Sequence, residues 1–282
     1  MDEFIGLFYR EQTSEVKQII NKLLAEEDRI FYQSRHLFLT SQTEFLCNEN
    51  FYSNDKTILF FSGQCFNKKQ LIEKSGLDSN VSFAEALTAL YQQSHQQFFR
   101  EIRGYFTLII YDKLLEEIYI VRDQFGVQCV YYNHNEECFL FANTKKQMVS
   151  LMDEHKIDYE ALQQYLSFQY VTNPLTMTQK IKCVPAGNYF AVNSVNKLKN
   201  IVYYERTFQP VISEKHFLIN RIRDALYESV SVMMDGKDSI GTLLSGGIDS
   251  TFITSLAKEI KPNIKTFSVG FEHDGYSEID IA

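Results

Sequence analysis

The chain has 282 residues, of which 45% are hydrophobic and 23% charged, and its formal net charge is -8. That length and composition suit one large or two ordinary globular domains with an ample core. The acidic balance, with no basic stripe to offset it, argues against nucleic acid as the main partner, and no apolar run approaches the roughly 20 residues that span a bilayer.

At the amino terminus Met1, Asp2 and Glu3 form an acidic start, so no signal peptide is expected. Residues 3–9 and 57–61 are short aromatic or β-branched runs that read as strands. Residues 82–100 carry Phe83, Ala86, Leu87, Leu90 and Tyr91 at helical spacing, with Ser82 as the N-cap. Strands are predicted again over 106–111, 118–122, 138–142 and 188–192, and Asp158 is placed to cap a helix carrying Leu162, Tyr165 and Leu166. Many short strands with helices outside them predict stacked sheets. A polar segment, 207–215, contains Pro210 and marks a change of character. Beyond it 217–233 is helical, with Ile222, Leu226 and Val230 on one stripe; 239–244 is a strand, 251–259 a helix and 264–269 a second strand. This strand–helix–strand order opens a parallel α/β unit. The fold class is therefore α+β: stacked antiparallel β-sheets flanked by helices over 1–207, then the start of an α/β domain over 208–282, which reads as incomplete because two strands make a poor sheet. The five cysteines, Cys47, Cys65, Cys129, Cys138 and Cys183, have no C-x-x-C spacing, so free thiols in a cytoplasmic protein are expected.

The sharpest motif is Leu244-Ser245-Gly246-Gly247-Ile248-Asp249-Ser250, between a strand and a helix. Two glycines permit backbone geometries that aim several N–H groups into one concavity. The following helix adds its unpaired N–H groups and positive dipole end. Ser245 and Ser250 supply hydroxyl donors, and Asp249 can hold magnesium. No G-x-x-x-x-G-K-[ST] pattern occurs, so this is not a Walker-type loop.

This loop resembles the pyrophosphate-binding loop of the ATP-pyrophosphatase superfamily, and residues 222–250 and 265–280 resemble asparagine synthetases in particular. The resemblance implies ATP and Mg as cofactors, with Leu244, Ser245, Gly246, Gly247, Asp249 and Ser250 around the pyrophosphate and Val269 and Gly270 beside the adenine. It implies adenylation of a carboxylate followed by attack of ammonia on the activated carbonyl. Upstream, Arg122-Asp123-Gln124-Phe125-Gly126-Val127 followed by Tyr131-Tyr132 is similar to the R-D-x-x-G-V…Y-Y signature of class II glutamine amidotransferase domains. The run Val184-Pro185-Ala186-Gly187-Asn188-Tyr189 resembles the segment that closes that domain. Arg122 and Asp123 are read as a surface ion pair of little energetic weight.

The amidotransferase family requires a cysteine directly after the initiator methionine as nucleophile, and this chain has Asp2 there. The family's Asn-Gly-Glu run, which forms the oxyanion hole and recognises the glutamine amine, is replaced by Ser62, Gly63 and Gln64. A family aspartate at the start of the 82–100 helix corresponds to Phe83, and no Arg-Gly-Pro-Asp run occurs near Arg35. The resemblance therefore implies a retained fold with a dead glutaminase. It implies an ATP-dependent carbon–nitrogen ligase of the asparagine-forming kind, ammonia-dependent, with aspartate or another carboxylate as substrate. The 282-residue chain by itself is expected to be inactive. Two alternatives stand beside this reading: a lasso-peptide or β-lactam-type cyclase, in which an internal amine replaces ammonia, and a non-catalytic remnant. The oligomeric state is open, with a homodimer among the forms allowed.

Overall fold

The computed structural model describes residues 3–25, 30–41, 49–152, 156–210 and 213–270, with the side chains of 30 and 31 outside the description. The chain divides into two compact units, Met1–Arg206 and Thr207–Ala282. Among the described residues no helix is long and apolar enough to cross a membrane.

The first unit contains β1 (Phe4–Tyr9), α1 (Ser14–Leu24), β2 (Ile30–Gln33), β3 (Leu37–Ser41), β4 (Phe51–Ser53) and β5 (Thr57–Cys65). It continues with α2 (Lys68–Ser75), α3 (Phe83–Ser94), a 3-10 helix (His95–Glu101), β6 (Gly104–Asp112), β7 (Glu117–Arg122), β8 (Tyr131–His134) and β9 (Cys138–Ala142). Then follow α4 (Lys145–Leu151), α5 (Tyr159–Phe168), β10 (Lys182–Cys183), β11 (Asn188–Asn193) and β12 (Leu198–Val202). The strands form two six-stranded antiparallel sheets, ordered β10-β8-β9-β1-β3-β2 and β12-β11-β7-β6-β5-β4.

Strand periodicity explains why the two sheets stack. On β1, Phe4 and Phe8 join Phe139 and Phe141 of β9 against Ile58 and Phe60 of β5 and Ile118 and Ile120 of β7, which is the core between the sheets. The alternate residues Ile5, Leu7 and Tyr9 pack outward on Val16, Ile19, Ile20 and Leu23 of α1. On the second sheet Leu59, Phe61, Phe106 and Leu108 pack outward on Leu71 of α2, Phe83 and Leu87 of α3, and Phe98 and Phe99 of the 3-10 helix. Both faces of each sheet are thus covered, so strands such as β6 are near-continuous apolar runs instead of alternating ones. Gly6 has no side chain because a Cβ there would sit 1.9 Å from Phe141 Cζ.

Helix starts follow capping chemistry. Ser82 Oγ accepts from Glu85 N at 3.1 Å, and Asp158 Oδ1 accepts from Ala161 N at 3.1 Å. The helix predicted over 82–100 is α-helical only to Ser94; His95 takes φ 48° and the chain goes on as the 3-10 helix. The predicted apolar face of α5 is not a core face: Ala161 alone is buried, and Tyr165 and Leu166 are exposed. Helix α1 was not among the expected elements, yet Thr13 caps it and Val16, Ile19, Ile20 and Leu23 repeat at helical spacing.

The second unit contains α6 (Lys215–Met234), β13 (Gly241–Leu243), α7 (Ile248–Ile260) and β14 (Lys265–Phe267), with β13 and β14 paired in parallel. Its core is Val230, Met234, Leu256 and Ala257, with Leu226, Ile240, Ile260 and Ile264 packed against them. The expected α6 stripe is displaced by one turn: Ile222 is exposed, and Met234 takes its place in the core.

Candidate functional site

Of the catalytic positions that the amidotransferase resemblance singles out, Ser62, Gly63 and Gln64 lie towards the end of β5 and Phe83 opens α3. Asp2 lies outside the described residues. Ser62 is buried on β5, opposite Thr107 of β6. Gly63 has φ +127°, and a Cβ there would approach Tyr105 O to 2.2 Å, so the backbone at this point admits only glycine. Gln64 Oε1 accepts a 2.7 Å hydrogen bond from Tyr105 Oη. Asn67 is held by structure: its Nδ2 donates to Glu101 O at 2.9 Å and its Oδ1 accepts from Arg103 N at 2.9 Å. Phe83 is only 2% exposed, and its ring meets Phe61 edge-on at 5.0 Å. The residue at the start of α3 is therefore a core residue. It offers no charge to a bound amino acid.

In the second unit, Gly247 is the N-cap of α7 and Gly246 takes φ +81°. The loop is curled by its own serines. Ser245 Oγ and Ser250 Oγ are 3.0 Å apart, Ser245 N donates to Ser250 Oγ at 3.2 Å, and Ser250 Oγ donates to Gly247 O at 3.1 Å. Leu244 N donates to Phe267 O at 2.9 Å, and Ser268 Oγ donates to Leu244 O at 2.7 Å, so the two strand ends are laced side by side. Asp249 is the acidic residue in the first turn of α7 and is exposed, while Val269 and Gly270 are exposed just past β14. The structure thus places Leu244, Ser245, Gly246, Gly247, Asp249 and Ser250 on one strand–loop–helix turn, with Val269 and Gly270 at the neighbouring strand end. A turn of this kind presents the first N–H groups of α7 and its positive dipole end to an anion.

Arg122 and Asp123 are not the surface ion pair that their sequence suggested. Both are buried, Asp123 completely. Asp123 Oδ1 accepts from Phe125 N at 3.1 Å and Val127 N at 3.0 Å, and its Oδ2 accepts from Gln128 N at 2.9 Å. The Arg122 guanidinium donates to the carbonyls of Gly126, Gln128 and Val184, and Tyr203 Oη donates to Arg122 O at 2.8 Å. A charge can be buried here because nearly every lone pair and proton has a partner. The R-D-x-x-G-V run is a self-capping loop that ties β7 to the segment leading into β11. Gly126, at φ +66°, lets the loop close over the guanidinium. The sequence signal that marked it was the motif; its burial came from the two strands around it.

A family profile described as Glutamine amidotransferase domain matches residues 47–204, and one described as Asparagine synthase matches residues 221–282. Asparagine synthetase [glutamine-hydrolyzing] 1 of Bacillus subtilis is 34% identical over 99% of this chain and 47% of that protein. A putative asparagine synthetase [glutamine-hydrolyzing] of Mycobacterium bovis is 29% identical over 81% of this chain and 37% of that protein. The chain therefore spans about half the length of these relatives, or less. Among solved structures, glutamine phosphoribosylpyrophosphate amidotransferase from B. subtilis aligns with TM-score 0.48 and 11% identity, over 96% of this chain and 67% of that chain.

Proposed function

This chain belongs to the glutamine-hydrolysing asparagine synthetase family, and from that membership we propose that it serves an ATP-dependent amide ligase that uses free ammonia and no longer hydrolyses glutamine. The observation that carries the loss is Phe83, sealed in an aromatic cluster at the position where the family's glutaminase places an aspartate. Asp2 has no thiol with which to form a thioester, Ser62 replaces the oxyanion-hole amide, and Gln64 lacks the charge that pairs with an ammonium.

The ligase half of the proposal rests on the Leu244–Ser250 turn. Ser245 and Ser250 curl the loop, Gly246 and Gly247 keep its mouth free of side chains, and α7 aims its N–H groups at a phosphate-sized anion. These residues suit a pyrophosphate, and Asp249, exposed beside the N–H groups, suits a magnesium ligand. ATP supplies the activation that turns a carboxylate oxygen into a leaving group. The backbone of Val269 would contact the base, Gly270 would leave room beside it, and the loop N–H groups would hold the pyrophosphate in place. The carboxylate is proposed to be aspartate and the site of action the cytoplasm.

The test gives the natively expressed protein aspartate, ATP and magnesium with either ammonium or glutamine. Asparagine and pyrophosphate are expected with ammonium, and no ammonia release from glutamine. The Asp2→Cys variant is expected to stay inactive on glutamine, since Ser62, Gln64 and Phe83 are unchanged. Glutamine turnover above a heat-killed control defeats the glutaminase half. Unchanged pyrophosphate release in Asp249→Ala defeats the assignment of the loop.

A further inference from the structure

Outside the positions assigned above, two cysteines meet at one guanidinium. Cys183 ends β10, opposite Tyr131 of β8, and Val184 N donates to Val130 O at 2.8 Å, so the antiparallel register continues towards residue 129. Cys129 lies in the loop that leads into β8, two residues before Tyr131. Arg122 Nη1 reaches Cys183 Sγ at 3.2 Å, and Nη2 reaches Cys129 Sγ at 3.6 Å. Cys183 is buried and Cys129 half-buried, and neither is in a disulfide.

We propose that Cys129 and Cys183 are a reversible redox dithiol, oxidised to a disulfide by hydroperoxides, with Cys129 as the attacking sulfur and Cys183 as the resolving one. Their surroundings divide these roles. Cys129 accepts hydrogen bonds from the Cys183 thiol and the Tyr131 hydroxyl and lies beside the Arg122 cation, which together hold it far below an ordinary thiol. The Cys183 thiol is pushed up by donating a hydrogen bond to Cys129 and by burial. In the other described cysteines burial prevails: it pushes Cys65 up to about 11, against the Asn67 backbone hydrogen bond and the Lys68 charge, and Cys138 up to about 12. Only Cys129 combines thiolate character with access to solvent among the described cysteines.

The chemistry balances without a further reagent. The Cys129 thiolate attacks the outer oxygen of the hydroperoxide, the O–O bond breaks, and the alkoxide leaves as an alcohol after taking a proton. Cys129 is then a sulfenic acid. The Cys183 sulfur gives up its proton and attacks the Cys129 sulfur; the S–O bond breaks and hydroxide leaves as water. Each sulfur gives one electron to the peroxide oxygens. The bond ties the loop after β7 covalently to β10.

The test treats the reduced full chain with hydrogen peroxide, quenches by alkylation and maps the peptides. A Cys129–Cys183 crosslink that thiols reverse is expected to dominate, with Cys65 and Cys138 still alkylated. At pH 6 Cys129 should be alkylated at least about tenfold faster than Cys65. The Cys183→Ser variant is expected to leave a sulfenic acid on Cys129 that dimedone traps. If that variant does not fold, a time course on the natural chain decides, with dimedone-reactive Cys129 preceding the crosslink. Oxidation that halts at Cys129 while Cys183 stays alkylatable, or a crosslink to any other cysteine, overturns the proposal.

Discussion

The two units differ in what covers their apolar side chains. In the first, helices α1, α2, α3 and α4 cover the outer faces of both sheets, and residues such as Phe98, Phe106 and Phe139 are fully enclosed. In the second, a two-stranded sheet with two helices leaves Ile248 89%, Leu243 79% and Val269 76% exposed. The polar chemistry is distributed the opposite way. On the reading proposed above, the unit with the closed core has neutral or aromatic residues at 62, 64 and 83 and Asp2 in place of the nucleophile, while the open unit keeps a full set of loop donors. Packing and catalysis draw on different residues. A sheet sandwich is held by its enclosed side chains, and on that same reading a catalytic position can change, as proposed for Phe83, by joining the nearest hydrophobic cluster.

The strongest way to break this comparison is to empty the closed core. Phe106→Ala removes a fully buried ring stacked on Phe61 at 5.7 Å and should cost about 3–5 kcal/mol in urea unfolding followed by circular dichroism. A loss under about 1 kcal/mol would mean that the core between the second sheet and its helices is not a principal one. Next in size, Asp123→Asn turns one of two accepting oxygens into a donor facing backbone N–H groups. It should cost about 1–3 kcal/mol by the same measurement; a neutral result would contradict the buried loop.

Asp158→Ala should cost about 1 kcal/mol, because Asp158 caps α5 and pairs with Lys182 at 2.9 Å. The effect depends on pH with a definite sign. The Lys182 and Ala161 hydrogen bonds hold the Asp158 carboxyl below its ordinary value, so its stabilisation is complete above the unfolded-state pKa and disappears as pH falls through the folded-state pKa. Unfolding titrations of both proteins should therefore converge in acid. The smallest effect belongs to the open unit: Val269→Ala should change stability by less than about 0.5 kcal/mol, since its side chain stands in solvent. A large loss there would show that the exposed strand end is packed against something in solution.

Local order was what the sequence could settle. Apolar runs such as 106–111 announced strands, Ser82 and Asp158 announced their caps, and the glycine pair between a strand and a helix announced the turn at 244–250. Each of these depends on residues close together in the chain. α1 is equally local, since its apolar spacing and Thr13 cap lie within one short stretch of chain. Only the tertiary structure decided what separate segments do to one another. It buried Arg122 and Asp123, which as a dipeptide look like surface charges, because β7, the loop after it and the approach to β11 enclose them. It exposed Tyr165, Leu166 and Ile222, whose helical spacing promised a core face, because periodicity says which side of a helix is apolar and not what lies opposite. It also brought Cys129 to Cys183 across a strand pairing, a meeting that their separation in the chain conceals.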